Sequence, residues 1–141
     1  MADSKAHAQW QGSLTEGGGT VGVASGVFGD LPVTWASRTE RSAGTTSPEE
    51  LIAAAHAACY AMAFSNALAG AGSPPESLAV DTVCTFVPGE GITSMAVSVE
   101  GVVPGLDQAE FARLAAEGEQ GCPVSNALRG NVEISLTATL K

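Results

Sequence analysis

Short runs of alternating apolar and polar residues open the chain. Ala8, Trp10, Gly12 and Leu14 alternate with polar neighbours, Val21 and Val23 repeat the pattern, and Val33 with Trp35 begins it a third time. Gly17-Gly18-Gly19 and the segment from Asp30 to Pro32 supply turn residues between these runs. The first third of the chain is therefore expected to be an antiparallel meander.

The period then changes. In Thr45-Thr46-Ser47-Pro48-Glu49-Glu50, Ser47 suits a helix N-cap, Pro48 the first helical position and Glu50 the third position of a capping box. Leu51, Ala55, Cys59, Met62 and Asn66 follow at helical spacing, until Gly70, Gly72 and Pro74-Pro75 stop the series. A long helix over roughly 48–70 is expected. Leu78, Val80, Thr82, Cys84 and Phe86 share one face of a strand, and Ile92 to Val103 forms another that closes at Pro104-Gly105. Asp107 caps a shorter helix ending near Gly118, Pro123 to Leu128 has helical character, and Val132, Ile134, Leu136, Ala138 and Leu140 make a regular closing strand. The order is that of an α+β fold. The 141 residues, without internal repeat or long linker, are read as a single domain over 1–141.

Charge narrows the partners. With 6 Lys+Arg against 15 Asp+Glu, the net charge of -9 repels a phosphate backbone or an anionic lipid surface, so no nucleic-acid partner is expected. The start, Met1 to His7, lacks a basic stretch followed by an apolar run. The nearly apolar run Leu51 to Phe64 falls short of the roughly 20 residues that cross a bilayer and contains His56, so it is read as a buried core helix. A cytoplasmic location and no membrane partner follow as expectations.

The 3 cysteines are too few for a disulfide framework, and in a reducing compartment a bonded pair points to catalysis or sensing. Cys84 keeps strand phase with Leu78 and Val80 and is read as a small core residue. Cys59 lies deep in its helix, beyond the reach of the favourable dipole field of the helix start, so its thiolate needs a cation. Arg38 and Arg41, just before the helix on the end of a strand, are the candidates, and the residues alone do not choose between them. Gly121-Cys122-Pro123 puts Cys122 at a helix N-terminus, where unpaired N–H groups favour a thiolate and make it the better leaving group. His56, three residues before Cys59, reads as a packed or hydrogen-bonded core histidine. A zinc site would use His56, Cys59 and Cys122 with a fourth group, but no C-x-x-C pair supports one, and neither metal nor other cofactor is expected.

The block Thr46-Ser47-Pro48-Glu49-Glu50-Leu51-Ile52-Ala53-Ala54-Ala55-His56-Ala57-Ala58-Cys59-Tyr60, followed by Gly121-Cys122-Pro123-Val124-Ser125, closely resembles the OsmC/Ohr family of thiol peroxidases, its OsmC branch more than Ohr. Trp10-Gln11-Gly12, Ser37-Arg38-Thr39 and Val103-Pro104-Gly105-Leu106-Asp107 extend the resemblance along the chain. It implies antiparallel sheets with a long central helix, an intertwined homodimer with sites at the subunit interface, and reduction of hydroperoxides in an oxidative-stress setting. It also implies that Cys59 is the peroxidatic cysteine, Cys122 the resolving one, Arg38 the arginine that stabilises the thiolate and Glu49 the carboxylate that holds this arginine. The residues agree with the last point, because Glu50 already has a capping task and Glu49 has none. The expected function is a hydroperoxide reductase for organic peroxides, hydrogen peroxide being a further candidate. In it a Cys59 sulfenic acid is resolved by Cys122 as a disulfide and reset by an external dithiol. Leu51, Ile52, Met62 and Phe64 stand as either walls of an apolar substrate pocket or plain core. The alternative is a redox-sensing or small-ligand-binding module that uses the same cysteine pair without turnover.

Overall fold

The alternation at the start of the chain does become sheet. In the computed structural model, which describes residues 1–41 and 43–141, β1 (Ala6–Gln11), β2 (Gly18–Val23) and β3 (Leu31–Val33) pair antiparallel in the order β1-β2-β3. The meander starts earlier than the alternation suggests, at Ala6, and its first and last strands end earlier. Gly12 turns the chain with φ +87°, a left-handed conformation open to glycine, and Trp10 Nε1 donates to its carbonyl at 3.0 Å, so Leu14 lies in the turn. Trp35, expected in a strand, begins the short helix α1 (Trp35–Thr39). The cause is a capping box: Thr34 Oγ1 accepts from the Ser37 N–H at 3.1 Å and Ser37 Oγ accepts from the Thr34 N–H at 3.2 Å. Arg38 is thus a helical residue, not the end of a strand.

The chain divides into two compact units, Met1–Leu51 and Ile52–Lys141, and α2 (Pro48–Gly70) runs from one into the other. The second unit contains β4 (Ser77–Val87), β5 (Gly91–Val102), α3 (Gln108–Gln120), α4 (Pro123–Leu128) and β6 (Glu133–Leu140). β4 and β5 are antiparallel, with Val80 opposite Val99 and Cys84 opposite Met95. The second sheet is not wholly antiparallel as expected: β6 runs parallel to β5, Val97 beside Leu136. A parallel neighbour needs a crossover connection, and α3 with α4 supplies it.

The core of this second unit is built on one stripe of α2. His56, Tyr60, Phe64 and Leu68 follow at i, i+4, i+8 and i+12, and all four have 0% exposure. Tyr60, Phe64 and Leu68 meet Val97 and Val99 of β5 and Phe111, Leu114 and Ala115 of α3. Each large apolar side chain buried here contributes about 1.5–3 kcal/mol. Gly118 lets α3 come close, since a Cβ there would stand 2.8 Å from the Phe64 Cα.

This stripe corrects the expected one. Met62 is 68% exposed, and Cys59 borders the core without lying inside it. Nor is α2 a wholly buried core helix: at 23 residues it is long and apolar enough to cross a membrane by length and composition, with 22% of its most apolar window buried.

Candidate active site

The start of α2 carries the first half of the expected constellation. Ser47 Oγ accepts from the Glu50 N–H at 3.1 Å, as an N-cap should. The capping box is only half made, because the Glu50 carboxylate instead accepts from Thr46 Oγ1 at 2.6 Å. Its neighbour Glu49 has 0% exposure, and a buried carboxylate demands a partner. Arg38 meets it with two prongs: Nη2 donates to Oε1 at 2.6 Å, and Nε lies 3.1 Å from Oε1 and 3.3 Å from Oε2. The guanidinium also lies over the Trp35 ring, 5.5 Å from its centroid. Arg41, the other candidate cation, sits beyond α1 with φ 55° beside a small cavity lined by Ser37, Thr45, Ser47 and Glu50.

Arg38 lines a mostly apolar cavity of about 370 Å³ together with Trp10, Leu14, Val33, Trp35 and Pro48. Of the residues left open between pocket wall and core, Phe64 is core and Met62 is exposed.

The cysteines form the second half. Cys59 and Cys122 lie close enough for the Cys122 thiol to act on that of Cys59, and the Val124 backbone N–H acts on the Cys59 thiol in the opposite sense. Cys122 is the N-cap of α4, with Pro123 behind it, and its own N–H donates to the Glu119 carbonyl at 3.2 Å. It has 0% exposure. The start of α4 therefore acts on a thiol from another helix: α2 gives Cys59 no dipole, but the Val124 N–H favours its thiolate. Burial nevertheless pushes the Cys59 thiol up, and the neighbouring Cys122 adds to the rise, while the Val124 bond opposes both. None of the three cysteines is in a disulfide. Cys84 is buried in β4, as its strand phase indicates.

Flanking the thiols is a second polar pair. His56 Nε2 and Ser125 Oγ are 2.7 Å apart, and both residues have 0% exposure. Among the described residues His56 Nδ1 has no hydrogen-bond partner. Burial lowers the His56 pKa from its ordinary value, with Glu119 acting in the opposite sense. Among the described residues no cluster of three His, Cys, Asp or Glu side chains could hold a metal ion. Sequence reasoning named His56 as a hydrogen-bonded core histidine but missed Ser125 and the Val124 N–H. The signal was the spacing, since His56 lies three residues before Cys59 and Ser125 three after Cys122.

The class defined by the fold is α+β with two three-stranded sheets, with Cys59 on α2 and Cys122 at the start of α4. A family profile described as OsmC-like protein matches residues 41–137. The chain belongs to the OsmC-like family. It is 41% identical to peroxiredoxin OsmC of Escherichia coli (strain K12), the alignment covering 97% of this chain and 96% of that one. Among solved structures it is similar to an organic hydroperoxide resistance protein from Elizabethkingia anophelis, with TM-score 0.74 and 26% identity over 100% of this chain and 98% of the other. It is also similar to the organic hydroperoxide resistance protein OsmC of Legionella pneumophila, with TM-score 0.71 and 27% identity over 99% of each. The fold is thus the OsmC/Ohr fold.

Proposed function

We propose that the chain is a thiol-dependent hydroperoxide reductase, one OsmC-like domain that works as a homodimer in the cytoplasm without a metal or other cofactor. The observation that carries this reading is that Cys59 packs against the core cluster containing Cys122, near enough for the two thiols to act on each other. The names borne by the relatives, peroxiredoxin and organic hydroperoxide resistance protein, support it.

Cys59 attacks as the thiolate. Its sulfur bonds to the terminal peroxide oxygen, the O–O bond breaks, and the departing alkoxide leaves as an alcohol after taking a proton. The sulfenic acid left on Cys59 condenses with the Cys122 thiol to a disulfide and water. An external dithiol then reduces that disulfide and is itself oxidised. Organic hydroperoxides are the proposed substrates, with hydrogen peroxide as a further one.

Arg38 is proposed as the cation. Burial raises the Cys59 thiol, so a thiolate at neutral pH needs a positive charge that the Val124 hydrogen bond does not supply. The same guanidinium would stabilise charge developing on the peroxide oxygens. Glu49 holds it in one orientation through the two-pronged bond. The exposed apolar surface of α2, Met62 included, favours a second copy of the chain as the partner that covers it.

Steady-state turnover tests the reading. With tert-butyl hydroperoxide and dihydrolipoamide, peroxide consumption should continue through many equivalents per chain. Consumption that stops after one disulfide per chain would make the protein a redox sensor and not an enzyme.

A further inference from the structure

The sulfenic acid on Cys59 has two competing fates in the proposed reaction, on which this inference rests. In one, Cys122 Sγ forms the S–S bond, the S–O bond of Cys59 breaks, and the Cys122 thiol proton leaves with the hydroxide as water. In the other, a second hydroperoxide transfers its oxygen to the same sulfur, which becomes sulfinic acid while the peroxide becomes an alcohol. The first wins only if Cys122 stands within bonding geometry when the sulfenic acid forms. Disulfide closure tolerates little error, needing a Cβ–S–S–Cβ torsion near 90° and Cα atoms about 4.4–6.8 Å apart.

Cys59 rides on a long helix, but Cys122 caps the six-residue α4, which has little stiffness of its own. Two side-chain bonds hold α4 from its two ends. At its far end the C-cap Arg129 binds Glu119 of α3, Nη2 to Oε1 at 2.8 Å. At its near end the Ser125 hydroxyl, one turn from Cys122, meets His56 of α2 at 2.7 Å, one turn from Cys59. We propose that the buried His56–Ser125 hydrogen bond is a positioning link that docks the start of α4 on α2 and so directs the Cys59 sulfenic acid to Cys122 and away from a second peroxide.

The form of the pair fits such a link. Both residues have 0% exposure, so water does not compete for the bond. His56 takes a place in the apolar stripe that Tyr60, Phe64 and Leu68 continue, where a leucine would pack without leaving a polar atom unpaired. Its Nδ1 has no partner among the described residues. A neutral ring with the proton on Nε2 leaves only a lone pair unsatisfied there, whereas a charged ring would bury an N–H without an acceptor. Packing alone therefore gives no reason for a histidine at this place, and the bond to Ser125 does. His56 and Ser125 are positioning residues, since neither is proposed to touch the peroxide.

The test uses the full chain, treated with increasing excess of tert-butyl hydroperoxide and mapped by mass spectrometry. The quantity read is the ratio of Cys59–Cys122 disulfide to Cys59 sulfinic acid, which is independent of how fast the first oxidation runs. Ser125→Ala should lower this ratio at least tenfold at equal peroxide, because a displacement of about 1 Å at a reacting atom costs on the order of a hundredfold in rate. His56→Leu, which fills the stripe but cannot bond, should behave as Ser125→Ala. His56→Gln, whose amide can reach the hydroxyl, should stay within about threefold of wild type. A role in folding alone would lower the melting temperature of the variants and leave the ratio unmoved, so an unchanged ratio in folded Ser125→Ala or His56→Leu overturns the proposal. Wild type that yields no disulfide at any peroxide excess overturns instead the peroxidase reading beneath it.

Discussion

Arg38 and Glu49 form a two-pronged ion pair, 2.6 Å at its shorter bond, in which the carboxylate side chain has 0% exposure and the guanidinium side chain 28%. The inequality sets what each substitution does. Arg38→Ala leaves a buried carboxylate without its counter-charge, which costs about 3–5 kcal/mol for a pair of this kind. Urea denaturation should register a loss of that order. Glu49→Gln keeps the shape and one acceptor, so its loss of stability should be the smaller.

Activity separates charge from orientation. Arg38→Lys keeps the charge but cannot reproduce the fork that bonds both carboxylate oxygens. Under the proposed function its kcat/KM for tert-butyl hydroperoxide should fall about a hundredfold, and Glu49→Gln should fall about tenfold, as expected for loss of an orienting partner. Wild-type kinetics in Arg38→Lys would show that the guanidinium geometry has no part in the reaction.

His56 makes stability depend on pH with a definite sign. Burial holds its pKa below the ordinary 6.5, Glu119 opposing. As pH falls through 6.5 the unfolded chain takes up a proton at this residue before the folded chain does, so stability is full above that value and declines below it. Melting temperatures recorded from about pH 7 to about pH 5 should therefore fall more steeply for wild type than for His56→Gln.

Gly118 faces the α2 backbone, where an added Cβ would lie 2.8 Å from the Phe64 Cα and 3.1 Å from its Cβ. Alanine there must push α3 off α2, against a core in which Phe64 and Phe111 rings already meet at 5.1 Å between centroids. Gly118→Ala should lose about 1–3 kcal/mol by urea denaturation, the usual cost of overpacking.

The parts of this protein that local chemistry controls were legible in its sequence. Ser47 and Pro48 announced α2, Gly121 and Pro123 announced the start of α4, and Cys84 kept strand phase. The errors arose where a second segment decides. Alternation in Val132 to Leu140 is the same for a parallel and an antiparallel neighbour, so the direction of β6 beside β5 was hidden. Val33 and Trp35 alternate as a strand would, but the reciprocal Thr34 and Ser37 bonds turn that chain into helix. The apolar residues of α2 are so many that two adjacent stripes looked alike, and only the packing of Phe111 and Val99 selects the one through Tyr60. The site shows the same division. The glutamate left without a capping task is the one that binds Arg38, but the group that favours the Cys59 thiolate is a backbone N–H, to which any residue type at 124 other than proline would contribute equally.

Cys59 as the attacking thiol, with Cys122 closing on it, is tested most directly by organic hydroperoxide, at one equivalent and then at several, added to wild type, Cys59→Ser and Cys122→Ser, followed by mass-spectrometric mapping. The account predicts a Cys59–Cys122 disulfide in wild type, sulfinic and sulfonic acid at Cys59 in Cys122→Ser as peroxide is raised, and no reaction in Cys59→Ser. Rapid peroxide consumption by Cys59→Ser would contradict it and make Cys122, at the start of α4, the nucleophile.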